Sequence, residues 1–134
     1  MAIELGNPQA ATTEYSRTLE KVAGSPPVID AVHLVLGPDG HTASLVPGDP
    51  VLQVTEREVA ITGAYQGRKR MTLTYPVLNR ARQIFWVVTG SDKVTAISQL
   101  EKGDRSIPAG GIRRSQALLL ADRVAAGTNI GAGR

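Results

Sequence analysis

Apolar positions fall in two rhythms along this chain, some at three- and four-residue spacing and others in short unbroken runs. Asn7-Pro8 opens the first helical stretch, because asparagine can accept from the free amides of a first turn and proline is tolerated there. Ala11, Tyr15, Leu19 and Val22 then line one helix face to about Ala23, and Gly24-Ser25-Pro26-Pro27 stops the helix. Val28 to Leu36 is short, rich in valine and interrupted by Asp30 and His33, the pattern expected of a strand buried on both faces. Extended segments follow at Glu58 to Tyr65 and at Arg70 to Tyr75, where Met71, Leu73 and Tyr75 alternate with threonines, and Pro76 opens a short helix through Arg82.

Gln83 to Thr89 holds Ile-Phe-Trp-Val-Val, a second strongly apolar strand that Gly90-Ser91 breaks. Ser91 is the expected cap of a helix carrying Val94, Ile97 and Leu100. A last strand at Ala117 to Ala121 and a short helix at Asp122 to Ala126 lead into Gly127 to Arg134, whose glycines predict a flexible tail. This order of elements predicts an α/β fold, a Rossmann-like and mainly parallel sheet with flanking helices, in a single domain over 1–126.

Composition narrows the chemistry. With 134 residues, 42% hydrophobic and 20% charged, the chain reads as an ordinary folded protein. The absence of cysteine removes disulfides, thiol nucleophiles and thiolate metal sites, and two histidines cannot build a His-rich cluster, so no metal centre is expected. A cysteine-free chain fits a reducing cytoplasm. The longest apolar stretches, Ala117 to Ala121 and Ile84 to Val88, are far below the roughly 20 residues that span a bilayer. Met1 to Gly6 carries an acid and no basic apolar leader, so neither a membrane partner nor a signal peptide is expected. The net charge is +3, yet apart from Arg68-Lys69-Arg70 and Arg113-Arg114 the basic residues are scattered, and only three Tyr, one Phe and one Trp could stack on bases. No nucleic-acid partner is expected.

Candidate chemistry concentrates in Gly37-Pro38-Asp39-Gly40-His41, directly after the first apolar strand. Asp-Gly between two partly apolar runs is a hairpin signal. The alternative is a ligand loop whose glycines admit close backbone approach while His41 is presented at the carboxyl end of a parallel strand. Thr89-Gly90-Ser91-Asp92-Lys93 also follows a strand and opens a helix, the outline either of an anion site with a first-turn lysine or of an ordinary solvated helix start. If the two strands are parallel, His41 and Lys93 share one sheet edge. His33 has no recognisable partner and reads as a core or interface residue, while Arg68 to Arg70 suit either a phosphate or a solvated loop.

Ile29-Asp30, then Gly37-Pro38-Asp39-Gly40-His41-Thr42-Ala43-Ser44-Leu45 and Pro47-Gly48, closely resembles the 6-phosphogluconolactonase family, within the glucosamine/galactosamine-6-phosphate isomerase superfamily. The resemblance continues in order through Arg70-Met71-Thr72-Leu73-Thr74, Pro76 to Arg82, Val88-Thr89-Gly90 to Lys93, Ile107-Pro108-Ala109-Gly110 and Ala121-Asp122. It implies hydrolysis of 6-phosphogluconolactone to 6-phosphogluconate in the oxidative pentose phosphate pathway, with His41 as general base and Asp39 and the loop amides orienting His41 or the water. It also implies Gly37, Gly40, Thr42, Arg70 and Lys93 at the substrate and its phosphate, and needs no cofactor. An amino-sugar-phosphate isomerase or deaminase would share Asp-Gly-His but continue differently from Thr42-Ala43-Ser44-Leu45-Val46-Pro47.

Two departures from the family pattern stand out. Val35 replaces a glycine, and its branched side chain is expected to crowd the loop or restrict its backbone. The chain also resembles only the C-terminal half of the family, a truncated version of its fold without the Ser-Gly-Gly-Ser phosphate loop. Half a sheet leaves an edge and apolar surface bare, so a homo-oligomer, a rearranged edge, a complementing chain or an unstable fragment is expected. The rival reading is a catalytically inactive truncated paralogue that binds sugar phosphate or a partner chain.

Overall fold

The computed structural model describes residues 6–127. Helix α1 spans Pro8–Ala23, and the Asn7 side chain caps it by accepting from the Gln9 and Ala10 amides. Strand β1 spans Ala31–Leu34, β2 Val59–Ile61, β3 Met71–Leu73, β4 Gln83–Val88 and β5 Ala117–Ala121; α2 covers Tyr75–Arg80 and α3 Val94–Lys102. Short 3₁₀ turns occupy Pro50–Gln53, Ser91–Lys93 and Pro108–Gly111.

Strands β1, β4 and β5 form a parallel sheet in the order β1-β4-β5, and β2 pairs with β3 in a separate antiparallel hairpin. The fold is therefore mixed α/β with a parallel sheet and flanking helices. Register sets Leu34 beside Trp86 and Trp86 beside Leu119. On that face Val32, Leu34, Ile84, Trp86 and Val88 are buried with Ala96, Ile97 and Leu100 of α3, each large side chain contributing about 1.5–3 kcal/mol. Helix α1 packs chiefly on β2. Its stripe is only half covered, with Val22 exposed.

Several elements differ from the sequence reading. The Val28 to Leu36 run is a four-residue strand flanked by irregular backbone, and it is buried on one face only, since Ala31, His33 and Val35 are exposed. The same face of the sheet carries Val87, Leu118 and Leu120, which are 45, 45 and 51% exposed. Parallel sheets are normally covered on both sides, and among the described residues nothing covers this face or pairs with the outer edge of β1. Val35 itself is 55% exposed on this open face. Alternation turns it away from buried Leu34 and Leu36, so it does not crowd the loop.

Asp122 to Ala126 is a run of turns rather than a helix, held by the Asp122 carboxylate on the Ala125 amide. Of the expected tail, residues 128–134 lie outside the described residues. Ser91 makes no capping hydrogen bond; Gly90 precedes the 3₁₀ turn, and Lys93 occupies the cap position of α3.

Candidate active site

The segment after β1 is not a hairpin. The Gly37 amide donates to the His41 carbonyl at 2.9 Å and the Gly40 amide to the Gly37 carbonyl at 2.9 Å, so the loop closes on itself. Asp39 Oδ1 accepts from the His41 amide at 3.0 Å and lies 2.6 Å from His41 Nδ1. A carboxylate there favours the tautomer with the proton on Nδ1, which leaves the Nε2 lone pair free. Burial raises the Asp39 pKa, but the hydrogen bonds from the His41 amide and ring and its attraction to His41 outweigh that and hold it below its ordinary value. A depressed folded-state value means the pairing is fully present above the ordinary carboxylate pKa and is lost only as pH falls through the lowered one.

Both loop glycines are required sterically. A Cβ on Gly37 would stand 2.2 Å from Cε1 and Nδ1 of the His41 ring, so the imidazole lies against bare backbone. Gly40 has φ +84°, and a Cβ there would meet Ile107 at 2.4 Å. The Gly40 carbonyl accepts from the Ala109 amide at 2.9 Å, and the half-buried Tyr75 hydroxyl, whose pKa burial raises above its ordinary value, donates to the Pro108 carbonyl at 2.5 Å. Ile107 to Ala109 thus forms a buried strut behind the loop. The Ile-Pro-Ala-Gly wording signals the segment in the sequence, whereas its placement depends on tertiary packing.

Of the residues singled out in the sequence, Gly37, Asp39, Gly40 and His41 come together in one loop. Lys93 reaches it from the β4–α3 turn, its Nζ donating to the Leu36 carbonyl at 2.6 Å. Thr42 is fully buried and exchanges backbone bonds with Leu45; its Oγ1 has no partner among the described residues. The amides of Gly37, Gly40, His41 and Thr42 are all spent within this segment. Arg70 stands apart at the start of β3, where its backbone pairs with Thr62 and its side chain is exposed. The hairpin touches the segment beyond His41 through the Ser44 amide and Thr72 Oγ1, 3.3 Å apart. Asp122 Oδ1 accepts from the Gly90 amide at 3.3 Å, a carboxylate at the turn read as an anion site that the sequence did not disclose. An open polar groove between α1 and residues 56–59 mixes Arg17 and Arg57 with Glu20 and Glu56, and none of the loop residues lines it.

The Asp–His pair lies on a glycine loop at the carboxyl end of a parallel strand, the edge at which open α/β sheets as a class bind their ligands. Comparison with known proteins makes the class specific. Residues 1–120 match the family model described as glucosamine-6-phosphate isomerases/6-phosphogluconolactonase, and the chain belongs to that family. It is 40% identical over 104 residues to 6-phosphogluconolactonase of Rattus norvegicus, covering 74% of this chain and 40% of the relative. It is 36% identical over 129 residues to 6-phosphogluconolactonase of Mycobacterium tuberculosis, covering 90% of this chain and 52% of the relative. The solved structure of the devB protein superposes with a TM-score of 0.80 at 27% identity, covering 91% of this chain and 55% of that one. The chain spans about half the length of the curated relatives it matches.

Proposed function

We propose that residues 1–126 form one domain that hydrolyses 6-phosphogluconolactone to 6-phosphogluconate. The observation that carries this reading is the 2.6 Å contact between Asp39 Oδ1 and His41 Nδ1, which leaves Nε2 to act as the base. Water attacks the lactone carbonyl carbon while Nε2 takes its proton. The tetrahedral oxyanion then collapses, the bond to the ring oxygen breaks, and the imidazolium returns the proton to that oxygen. Asp39 holds the ring and stabilises its transient positive charge. Gly37, Gly40 and Thr42 shape the floor beneath the substrate. Lys93, with two ammonium protons beyond the one on Leu36, supplies the cation for the phosphate, and Arg70, set apart at the start of β3, is the weaker candidate. A strained cyclic ester is already activated, so acid–base assistance suffices. The site is placed in the cytoplasm, because a charged sugar phosphate does not cross membranes unaided.

The test is hydrolysis of freshly generated 6-phosphogluconolactone by the purified chain, corrected for spontaneous ring opening. Turnover above background is the expected result; background-level hydrolysis by folded protein overturns it and favours a chain that only binds the sugar phosphate.

The working form is proposed to be an assembly in which a second copy or a complementing chain covers the open face of Val35, Val87, Leu118 and Leu120 and the bare edge of β1. Supporting this is the exposure of those side chains on one face of the sheet. Light scattering after size-exclusion chromatography is expected to give a mass above the 14.2 kDa of one chain. A stable, well-folded monomer that turns over substrate contradicts the assembly.

A further inference from the structure

We propose that Lys93 is a positioning residue for His41, acting through the peptide that joins Leu36 to Gly37. The inference rests on the reading of His41 as the base. Both polar ends of that one peptide are engaged: its N–H, on Gly37, donates to the His41 carbonyl at 2.9 Å, and its C=O, on Leu36, accepts from Lys93 Nζ at 2.6 Å. Rotation of this peptide plane moves the His41 main chain directly. Glycine on its C-terminal side leaves such rotation sterically inexpensive, so something other than sterics must fix the plane. Lys93 does so from a separate strand–helix junction, 57 positions further along the chain.

The anchor is itself restrained. Its amide donates to the Gly90 carbonyl at 3.2 Å, and the Gly90 amide is held by Asp122. Leu36 is buried, so its carbonyl lies where water competes poorly and a charge-assisted bond gains strength. A cation on the carbonyl also polarises the peptide and strengthens the donation of Gly37 to His41. The loop at the end of β1 is therefore locked to the start of α3, and the substrate phosphate would meet a lysine already fixed in direction.

The experiment compares wild type, Lys93→Met and Lys93→Arg by amide hydrogen exchange of Gly37 and Gly40 without substrate, and by kcat for lactone hydrolysis. In Lys93→Met the Gly37 amide is expected to exchange about tenfold faster or more, with kcat falling by about the same factor at saturating substrate. Lys93→Arg, which keeps a donor, is expected to restore most of both. Exchange at Gly37 unchanged in Lys93→Met overturns the proposal whatever happens to activity, and a rise in KM with kcat unchanged overturns it in favour of phosphate contact alone. Exchange is read without substrate, so a chain that fails to hydrolyse the lactone refutes the functional reading without masking the tether.

Discussion

Replacing His41 with alanine is expected to lower turnover of 6-phosphogluconolactone about 10²- to 10⁴-fold, the range over which a positioned acid–base group contributes. The protein should remain folded. The ring is part exposed, it rests on Gly37 rather than in the core around Trp86, and its removal opens no sealed cavity. The loop also retains the Gly40 to Gly37 bond, the strut bond from Ala109 and the Lys93 tether, all of which use backbone acceptors. Initial rates corrected for spontaneous opening, beside circular dichroism of both proteins, check the expectation. Equal rates for mutant and wild type remove His41 from the mechanism.

Legibility in the sequence followed range along the chain. The cap at Asn7 and the apolar runs at Val28 to Leu36, Gln83 to Thr89 and Ala117 to Ala121 are local signals, and each became an element close to its expected place. What the runs could not reveal was coverage. A continuous apolar strand implies cover on both faces, but among the described residues the sheet has three strands and helix α3 on one side, so His33 and Val35 are exposed. The same absence of cover explains Val35. Substitution of a glycine beside a loop suggests crowding, whereas strand alternation directs the side chain to the open face.

The loop chemistry divided in a similar way. Asp39 and His41 are two residues apart, and their pairing is a local consequence of the turn, so the sequence was sufficient to suggest it. Asp-Gly equally suited a hairpin, and only the parallel pairing of β1 with β4 excludes one. Lys93 was legible as a cation on the same edge, but its engagement with the Leu36 carbonyl depends on the angle at which the β4–α3 turn leaves the sheet. Ser91 suits a cap by residue type; the backbone instead takes a 3₁₀ turn there, which places Lys93 at the cap position of α3.

Gly37→Ala is expected to be the second severe lesion, with turnover falling toward that of the histidine deletion while stability changes little. The added methyl would lie 2.2 Å from two His41 ring atoms and 2.9 Å from Asp39 Oδ1, too close for ring and carboxylate to stay as they are. Gly37 is outside the left-handed region, so alanine meets no backbone penalty, and the atoms in its way belong to movable side chains. The imidazole therefore swings aside and the Asp39 contact breaks. Gly110 provides the contrast, since a Cβ there would stand 1.7 Å from the Asp104 carbonyl oxygen, a backbone atom that cannot rotate clear. Thermal unfolding within a few degrees of wild type, with turnover reduced about 10²-fold or more, is the expected result for Gly37→Ala. Near-normal turnover would mean that the ring can work from another rotamer, and that its seat against Gly37 is not the reactive pose.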